Sequence, residues 1–326
     1  MPEIKQGKKP TVLVTGGAGF IGRHLTTVLR SADMTVHSVD DLRVKPLVDA
    51  DDSLVRKSVR ELTADDVSGV DVVYHLASDK SVPLSFVQPL QYLDNLESTA
   101  HLMRICADAA VPRVIIASTC EVYGRAARLP TMESEPLAPL SPYAASKVAM
   151  EMVTRAYQEC VNSGTVTTIV RFFNVYGPGE RPDAVIPGFC LGALTDGLLT
   201  VEGSGTQRRD FSYIDDVVDQ LVQLTVATPV PVLNIGSGVS VSVLEIAAVV
   251  RELRPNATVR WTRPRPNEIP EFRSDTSLQR SLLSHRTPPV GLREGIERTL
   301  RWWVESGVLE RHGSPAEELP RPQLIG

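Results

Sequence analysis

A chain of 326 residues with 42% hydrophobic and 22% charged side chains has an ordinary globular composition, long enough for one α/β domain with a smaller lobe. Its formal net charge of −5 excludes a general attraction to nucleic acid or anionic membrane, and no apolar run reaches membrane-spanning length. Four widely spaced cysteines without a CxxC pair, and a polar N-terminus without an apolar signal core, predict a cytoplasmic protein; six histidines without HxH or HExxH predict no metal site.

In chain order, Thr11–Thr15 is a β-rich run leading into Gly16-Gly17-Ala18-Gly19-Phe20-Ile21-Gly22 and an amphipathic helix through about Leu29. Small residues three apart allow a tight turn, close approach of a pyrophosphate and close helix packing, while the helix N-terminus offers N–H donors. A second strand, Met34 to Val39, ends at Asp40, about 20 residues beyond the glycines, where a carboxylate holds adenosine ribose hydroxyls and favours NAD over NADP. The competing reading of Asp40 is a solvated loop carboxylate. Val70 to Ala77 predicts a strand, Leu93 to Ala110 a long helix, and Val114 to Ala117 a buried strand. Strands alternating with helices predict a doubly wound parallel sheet with right-handed crossovers.

The next stretch concentrates the chemistry. Ser118-Thr119-Cys120-Glu121 stands at the carboxyl end of a strand, where open α/β sheets place ligands. Ser141 caps a helix with Pro142 at its first position, and Tyr143 and Lys147, four apart, share one face. An ammonium close to a phenol lowers the phenol pKa, so Tyr143 is expected to act as a base near neutral pH. Thr168 to Phe172 predicts another strand. Elements shorten between Arg181 and Arg209, Asp210 to Ile214 reads as a strand, and Asp215 as the cap of a helix to about Ala227. Val232 to Ile235 is a short strand, and Ser242 with Glu245 forms a capping box. The polar, proline-bearing tail beyond Glu310 is expected to be ordered only where it docks.

These motifs, with Arg171-to-Pro178, Gly203-to-Phe211 and Asn234-to-Gly238 in that order, resemble the extended short-chain dehydrogenase/reductases that act on nucleotide sugars. The resemblance covers about Thr11 to Trp303. It implies a Rossmann-type doubly wound sheet with a smaller C-terminal lobe: residues 1–175 plus 210–236 for NAD, and 176–209 plus 237–326 for the nucleotide sugar. Within that family Ser118-Thr119-Cys120-Glu121, His75-to-Pro83, Gly179-to-Ile186 and Arg263-to-Glu268 look like UDP-N-acetylglucosamine 5,6-dehydratases of antibiotic biosynthesis. The resemblance implies that Gly16, Gly19, Phe20, Ile21, Asp40, Leu76, Ala77, Lys80 and Ser118 line the NAD site together with Tyr143 and Lys147. It makes Tyr143 and Lys147 the catalytic pair, with Thr119 on the sugar hydroxyl. Ser81, Val82, Asn174, Val201, Arg209 and Arg265 fall to the UDP-sugar. Ser58 departs from relatives that carry an acidic residue there against adenine. A homodimer through the long helices is the family expectation.

The implied reaction oxidises C4 of the sugar, removes the proton at C5, expels the C6 hydroxyl as water and returns the hydride, so NAD is recycled. Glu121 is the acidic side chain within the motif for C5, and Cys120, where 4,6-dehydratases carry aspartate, can donate a proton as a neutral thiol. Each has a plainer reading: Glu121 as a hydrogen-bonding residue, Cys120 as a small buried hydrophobe. A UDP-sugar 4-epimerase needs no C5 base; a 4,6-dehydratase and a UDP-glucuronate decarboxylase share Glu121. A non-catalytic dinucleotide sensor would lose the Tyr–Lys pair, which is intact here.

Overall fold

The computed structural model describes residues 9–161, 164–265, 268–284 and 288–312. Most of the polar N-terminus and of the tail lies outside them.

The N-terminal half alternates strands and helices. It runs β1 (Thr11–Thr15), α1 (Phe20–Ser31), β2 (Thr35–Asp40), β3 (Leu54–Arg56), α2 (Ala64–Val67), β4 (Val72–His75), α3 (Val82–Val87), α4 (Leu93–Asp108), β5 (Arg113–Thr119), α5 (Pro142–Cys160) and β6 (Val166–Phe172). The remainder is β7 (Asn174–Tyr176), α6 (Val185–Leu194), β8 (Leu198–Glu202), β9 (Arg208–Tyr213), α7 (Ile214–Leu224), β10 (Val232–Ile235), β11 (Ser240–Ser242), α8 (Val243–Leu253), β12 (Thr258–Thr262), α9 (Ser277–Leu282), α10 (Leu292–Glu305) and α11 (Val308–His312).

Seven strands form one sheet in the order β10-β6-β5-β4-β1-β2-β3, with every pairing parallel. Both faces are covered, which explains the near-continuous Val, Ile and Leu runs. Alternate residues of a strand point to opposite layers. Val12, Val14 and Ile115 pack with Leu25, Leu29, Val217 and Leu221 of α1 and α7. Leu13, Val114 and Ile116 pack with Leu102, Met103 and Met150 of α4 and α5. The chain order reverses between β1 and β4, so the ligand crevice of such a sheet opens there, at the carboxyl ends of β1, β4 and β5.

Two small sheets follow, β11-β9-β7 and β12-β8. The core that carries α1 and α7 continues without a break through Leu199, Val201, Ile246 and Val250 to Trp303. The small sheets and the helices around them therefore share apolar packing with the large sheet.

Several local expectations are met: Ser141 accepts from the Ala144 N–H as N-cap of α5, and Ser242 and Glu245 form a reciprocal capping box on α8. Others are corrected. The strand expected at Asp210–Ile214 is β9, Arg208–Tyr213, because Arg208 and Arg209 pair with Ser242 and Val241 of β11. Asp215 is not a cap: α7 begins at Ile214 with Tyr213 at the N-cap and no capping side chain. Asp215 lies inside the first turn, where a carboxylate complements the helix dipole, and it pairs with Arg298 at 3.6 Å. Helix α4 stops at Asp108, followed by a left-handed Ala110 with φ +52°. Strands β3, β8 and β12 are not among the elements expected from sequence.

Candidate active site

The glycine turn is shaped by close backbone approach. Gly16 has φ +73°, and a Cβ there would lie 2.6 Å from the Ala77 nitrogen; a Cβ on Gly22 would overlap the Gly16 carbonyl oxygen. No side chain caps α1, so its first-turn N–H groups are left for an anion at the end of β1. Asp40 ends β2 with its carboxylate accepting from the N–H groups of Ala18 (3.1 Å) and Leu42 (2.9 Å). Burial pushes its pKa up, and these two bonds pull it back. Leu76 and Ala77 leave β4 across from the turn, bonded to the Thr15 carbonyl (3.1 Å) and hydroxyl (3.4 Å). Phe20 and Ile21 are half-buried on the first core. This cradle suits a dinucleotide: a glycine turn too tight for side chains, an uncapped helix end and a carboxylate at the second strand. Replacing Gly16 by Ala forces a left-handed Cβ into the Ala77 backbone. Gly16→Ala is therefore expected to weaken NAD binding about tenfold or more, read by fluorescence titration.

Behind the crevice, β5 delivers Ser118 and Thr119 to its carboxyl end, and residues Cys120–Tyr123 turn sharply in a 3₁₀ helix with Thr119 accepting from the Glu121 N–H at 3.2 Å. Thr119 also hydrogen-bonds with the hydroxyl of Tyr143 and with Cys120. Thr119, Cys120 and Tyr143 are buried, and Glu121 is half-buried beside them. Burial pushes the Cys120 thiol well up, and the neighbouring Glu121 charge adds to the rise, so the thiol is neutral. Burial raises the Glu121 carboxyl too; Arg209 pulls it down, Glu268 pushes it up, and Arg265 pulls it down.

Lys147 departs from expectation. Its ammonium donates to the Ser78 hydroxyl (2.8 Å) and the Ala117 carbonyl (3.0 Å), and it lies 6.0 Å from the Tyr143 ring centroid. Burial pushes its pKa down to about 7 against the pull of Asp79 and Glu151. The Tyr143 phenol is pushed up, not down: burial dominates, and the Thr119 hydrogen bond only partly offsets it. The four-residue spacing does place the two side chains on one helix face, but desolvation outweighs a charge held by other partners.

Most of the remaining residues singled out from sequence keep partners of their own. Ser118 donates to Glu151 at 2.6 Å, within a buried network behind the site. Lys80 is half-exposed and pairs with Glu180 at 3.7 Å. Ser81 caps α3 at the Leu84 N–H, and Val82 opens that helix. Asn174 opens β7 with a buried Oδ1 that has no partner. Arg209 stacks on Phe272 at 5.1 Å and pairs with Glu268; Arg265 pairs with Glu202. The Val201 side chain is fully buried in the core, which leaves its backbone as the part able to meet a ligand. Ser58 caps the 3₁₀ turn Val59–Glu61, its own N–H taken by Glu61 at 2.7 Å.

Sequence reasoning passed over Ser78, Tyr92 and Glu180. Tyr92 donates to the Ser81 carbonyl at 2.6 Å and meets the Tyr143 ring edge-on at 6.1 Å. Ser78 follows the strand-end motif His75-Leu76-Ala77, a position that could have marked it. His75 is a satisfied core residue between Thr15 (2.8 Å) and Thr99 (3.1 Å), pushed down to about 3 by burial and hence neutral. Among the described residues no three potential metal ligands cluster, and no helix is long and apolar enough to cross a membrane.

The model of the NAD-dependent epimerase/dehydratase family matches residues 12–236. The chain belongs to that family. This epimerase/dehydratase is 51% identical to the solved NAD-dependent NDP-hexosamine 5,6-dehydratase TunA of tunicamycin biosynthesis, with a TM-score of 0.88 over 91% of this chain and 98% of TunA. MoeE5, solved with UDP-glucose and NAD, is 35% identical at a TM-score of 0.83, covering 91% and 99%. The dTDP-D-glucose 4,6-dehydratase of Mus musculus is 32% identical over 316 residues, 90% of this chain and 88% of that protein. NAD is the cofactor of the family, and the epimerase/dehydratase presents the cradle for it.

Proposed function

We propose that the protein is a sugar-nucleotide 5,6-dehydratase that takes UDP-N-acetylglucosamine and recycles a tightly held NAD. The observation that carries this reading is the convergence of a neutral buried thiol, Cys120, and a raised carboxyl, Glu121, on the hydroxyl pair of Thr119 and Tyr143. The likeness to TunA supports it.

In this reading NAD, when bound, supplies the oxidation and the later reduction of the sugar. Tyr143 takes the proton of the sugar 4-hydroxyl only as phenolate, which burial disfavours in the free protein. The positive charge that oxidised NAD would bring beside it and the Lys147 ammonium would favour that form, and Thr119 fixes the sugar hydroxyl by a hydrogen bond. The resulting 4-ketone acidifies C5–H, and Glu121 takes that proton. Its raised pKa suits a base that must hold a proton near neutrality. Cys120 then protonates the departing C6 hydroxyl, leaving a C5–C6 double bond and one water. Asn174, Arg209, Arg265 and the Val201 backbone grip the nucleotide, the arginines exchanging Glu268 and Glu202 for diphosphate. Residues 176–209 and the described part of 237–312 are read as the sugar-nucleotide lobe. The exposed Phe86, Leu90 and Leu93 beside α4, with Met152 on α5, support a homodimer through these helices, checked by light scattering.

The test is incubation with UDP-N-acetylglucosamine in deuterium oxide without added NAD, followed by NMR and mass spectrometry. Loss of one water with new vinylic signals is expected. Unchanged mass with conversion to the galacto epimer would replace the reading by a 4-epimerase. A methyl group at C6 would indicate a 4,6-dehydratase, a reading weakened by thiol in place of carboxyl at position 120.

A further inference from the structure

The loop after β4 is latched residue by residue. Ser78 holds Lys147, the Asp79 N–H donates to Asn95 at 2.8 Å, and the Ser81 carbonyl accepts from Tyr92. Lys80, between them, reaches instead to the opposite wall, to Glu180 in the turn after β7. That turn is docked on the start of α1: the Pro178 carbonyl meets His24 at 2.9 Å, and Gly179, at φ +82°, lies so close to the Arg23 guanidinium that a Cβ there would overlap it. The Lys80–Glu180 pair therefore bridges the carboxyl end of β4 and the helix that opens from the glycine turn, the two walls between which a dinucleotide lies in this fold.

Glu180 has features that an ordinary surface ion pair lacks. Its side chain is 7% exposed against 49% for Lys80, and one carboxyl oxygen, Oε2, is buried with no hydrogen-bond partner. A buried acceptor left unpaired is costly, and native structures usually satisfy it with a ligand, ion or water. Burial pushes the carboxyl up to about 8, Lys80 pulling it back and Asp183 adding to the rise, so a further donor would stabilise the ionised form.

We propose that Glu180 and Lys80 form a clasp across the dinucleotide groove that retains bound NAD, the free Glu180 oxygen accepting a hydroxyl of the cofactor. The inference rests on NAD use by the family and deepens the reading of a recycled cofactor, but it does not depend on which sugar is processed. Glu180 and Lys80 act here as cofactor-binding residues, and the pair touches no reacting atom.

The experiment uses holoenzyme purified with its NAD. Released NAD is trapped by alcohol dehydrogenase with ethanol, so the rate is read as NADH without turnover of any sugar. Glu180→Gln and Lys80→Met are each expected to speed release about tenfold or more, the scale of one charge-assisted hydrogen bond. Because the residues form one pair, the double variant is expected to release NAD no faster than the faster single variant. Release unchanged within about twofold in both variants would overturn the clasp. So would additive effects, an effect of Glu180→Gln without one of Lys80→Met, or wild-type protein that sheds NAD as fast as the variants. Should Glu180→Gln fail to fold, the half-exposed Lys80→Met decides. The sugar reaction is tested separately by its product, so failure of one reading leaves the other standing.

Discussion

Glu121→Gln is expected to lower formation of the dehydrated product by about 10²–10⁴-fold, the usual contribution of a positioned general base. The amide keeps the shape of the carboxyl and removes its capacity to take a proton from C5. In the proposed reaction, oxidation at C4 requires Tyr143 and Thr119 and not Glu121, so the variant is expected to accumulate NADH when mixed with substrate, seen as its near-ultraviolet absorbance. Deuterium should no longer exchange into C5. In the wild type the pH profile follows from the same group. Burial raises the Glu121 pKa, and a base works only when ionised, so kcat/KM is expected to rise with pH through that raised value. The Cys120 thiol, pushed well up, remains a proton donor across the same range. Normal turnover in Glu121→Gln would place the C5 base on another residue.

Arg171→Leu is expected to cost about 3–5 kcal/mol of folding stability, the effect of leaving a buried charge without its partner. Arg171 is 1% exposed and forks onto Glu151 with bonds of 2.9 and 2.6 Å; Glu151 is fully buried and also accepts from Ser118. The second arm of the guanidinium donates to the Tyr123 hydroxyl (2.8 Å), which in turn donates to Asn234 (2.7 Å), linking β5, β6, α5 and β10. A fall in the urea midpoint measures the cost. The double variant Arg171→Leu/Glu151→Leu should recover part of it, since removing both charges abolishes the unpaired one. A single variant within about 1 kcal/mol of wild type would mean that Arg155, which already lies 3.7 Å from the Glu151 carboxylate, or water takes over that charge.

The parts of the site that were legible in sequence are those carried by local periodicity and spacing. Strand, glycine turn and helix at Thr11–Ser31 follow from apolar alternation and small residues, and Tyr143 and Lys147 share a face because four residues make about one helical turn. The capping box of Ser242 and Glu245 was legible for the same reason. The direction of the Tyr143 shift was not. Spacing placed an ammonium on its face, but Ser78, in the loop after β4, and Ala117 of β5 take its hydrogen bonds. Asp215 was misread as a cap because β9 extends to Tyr213, and β9 is set by pairing with β11 and β7 rather than by its own pattern. Glu180 lies in the Gly179-to-Ile186 stretch that carries the resemblance, but nothing in that stretch marked its burial, which comes from a turn docked on Arg23 and His24.

The sequence by itself determined the family, the parallel doubly wound sheet and the use of NAD, and it supplied the residues at Ser118–Glu121 and Tyr143–Lys147 on which the proposed chemistry rests. These are encoded in short stretches whose conformation and chemistry depend on near neighbours. Tertiary structure alone decided which of those groups hold protons and which partners they keep. Desolvation and Coulomb interactions fall off with distance in space, not along the chain, and Glu121 meets Arg209, Glu268 and Arg265 only once the second lobe is folded against β5.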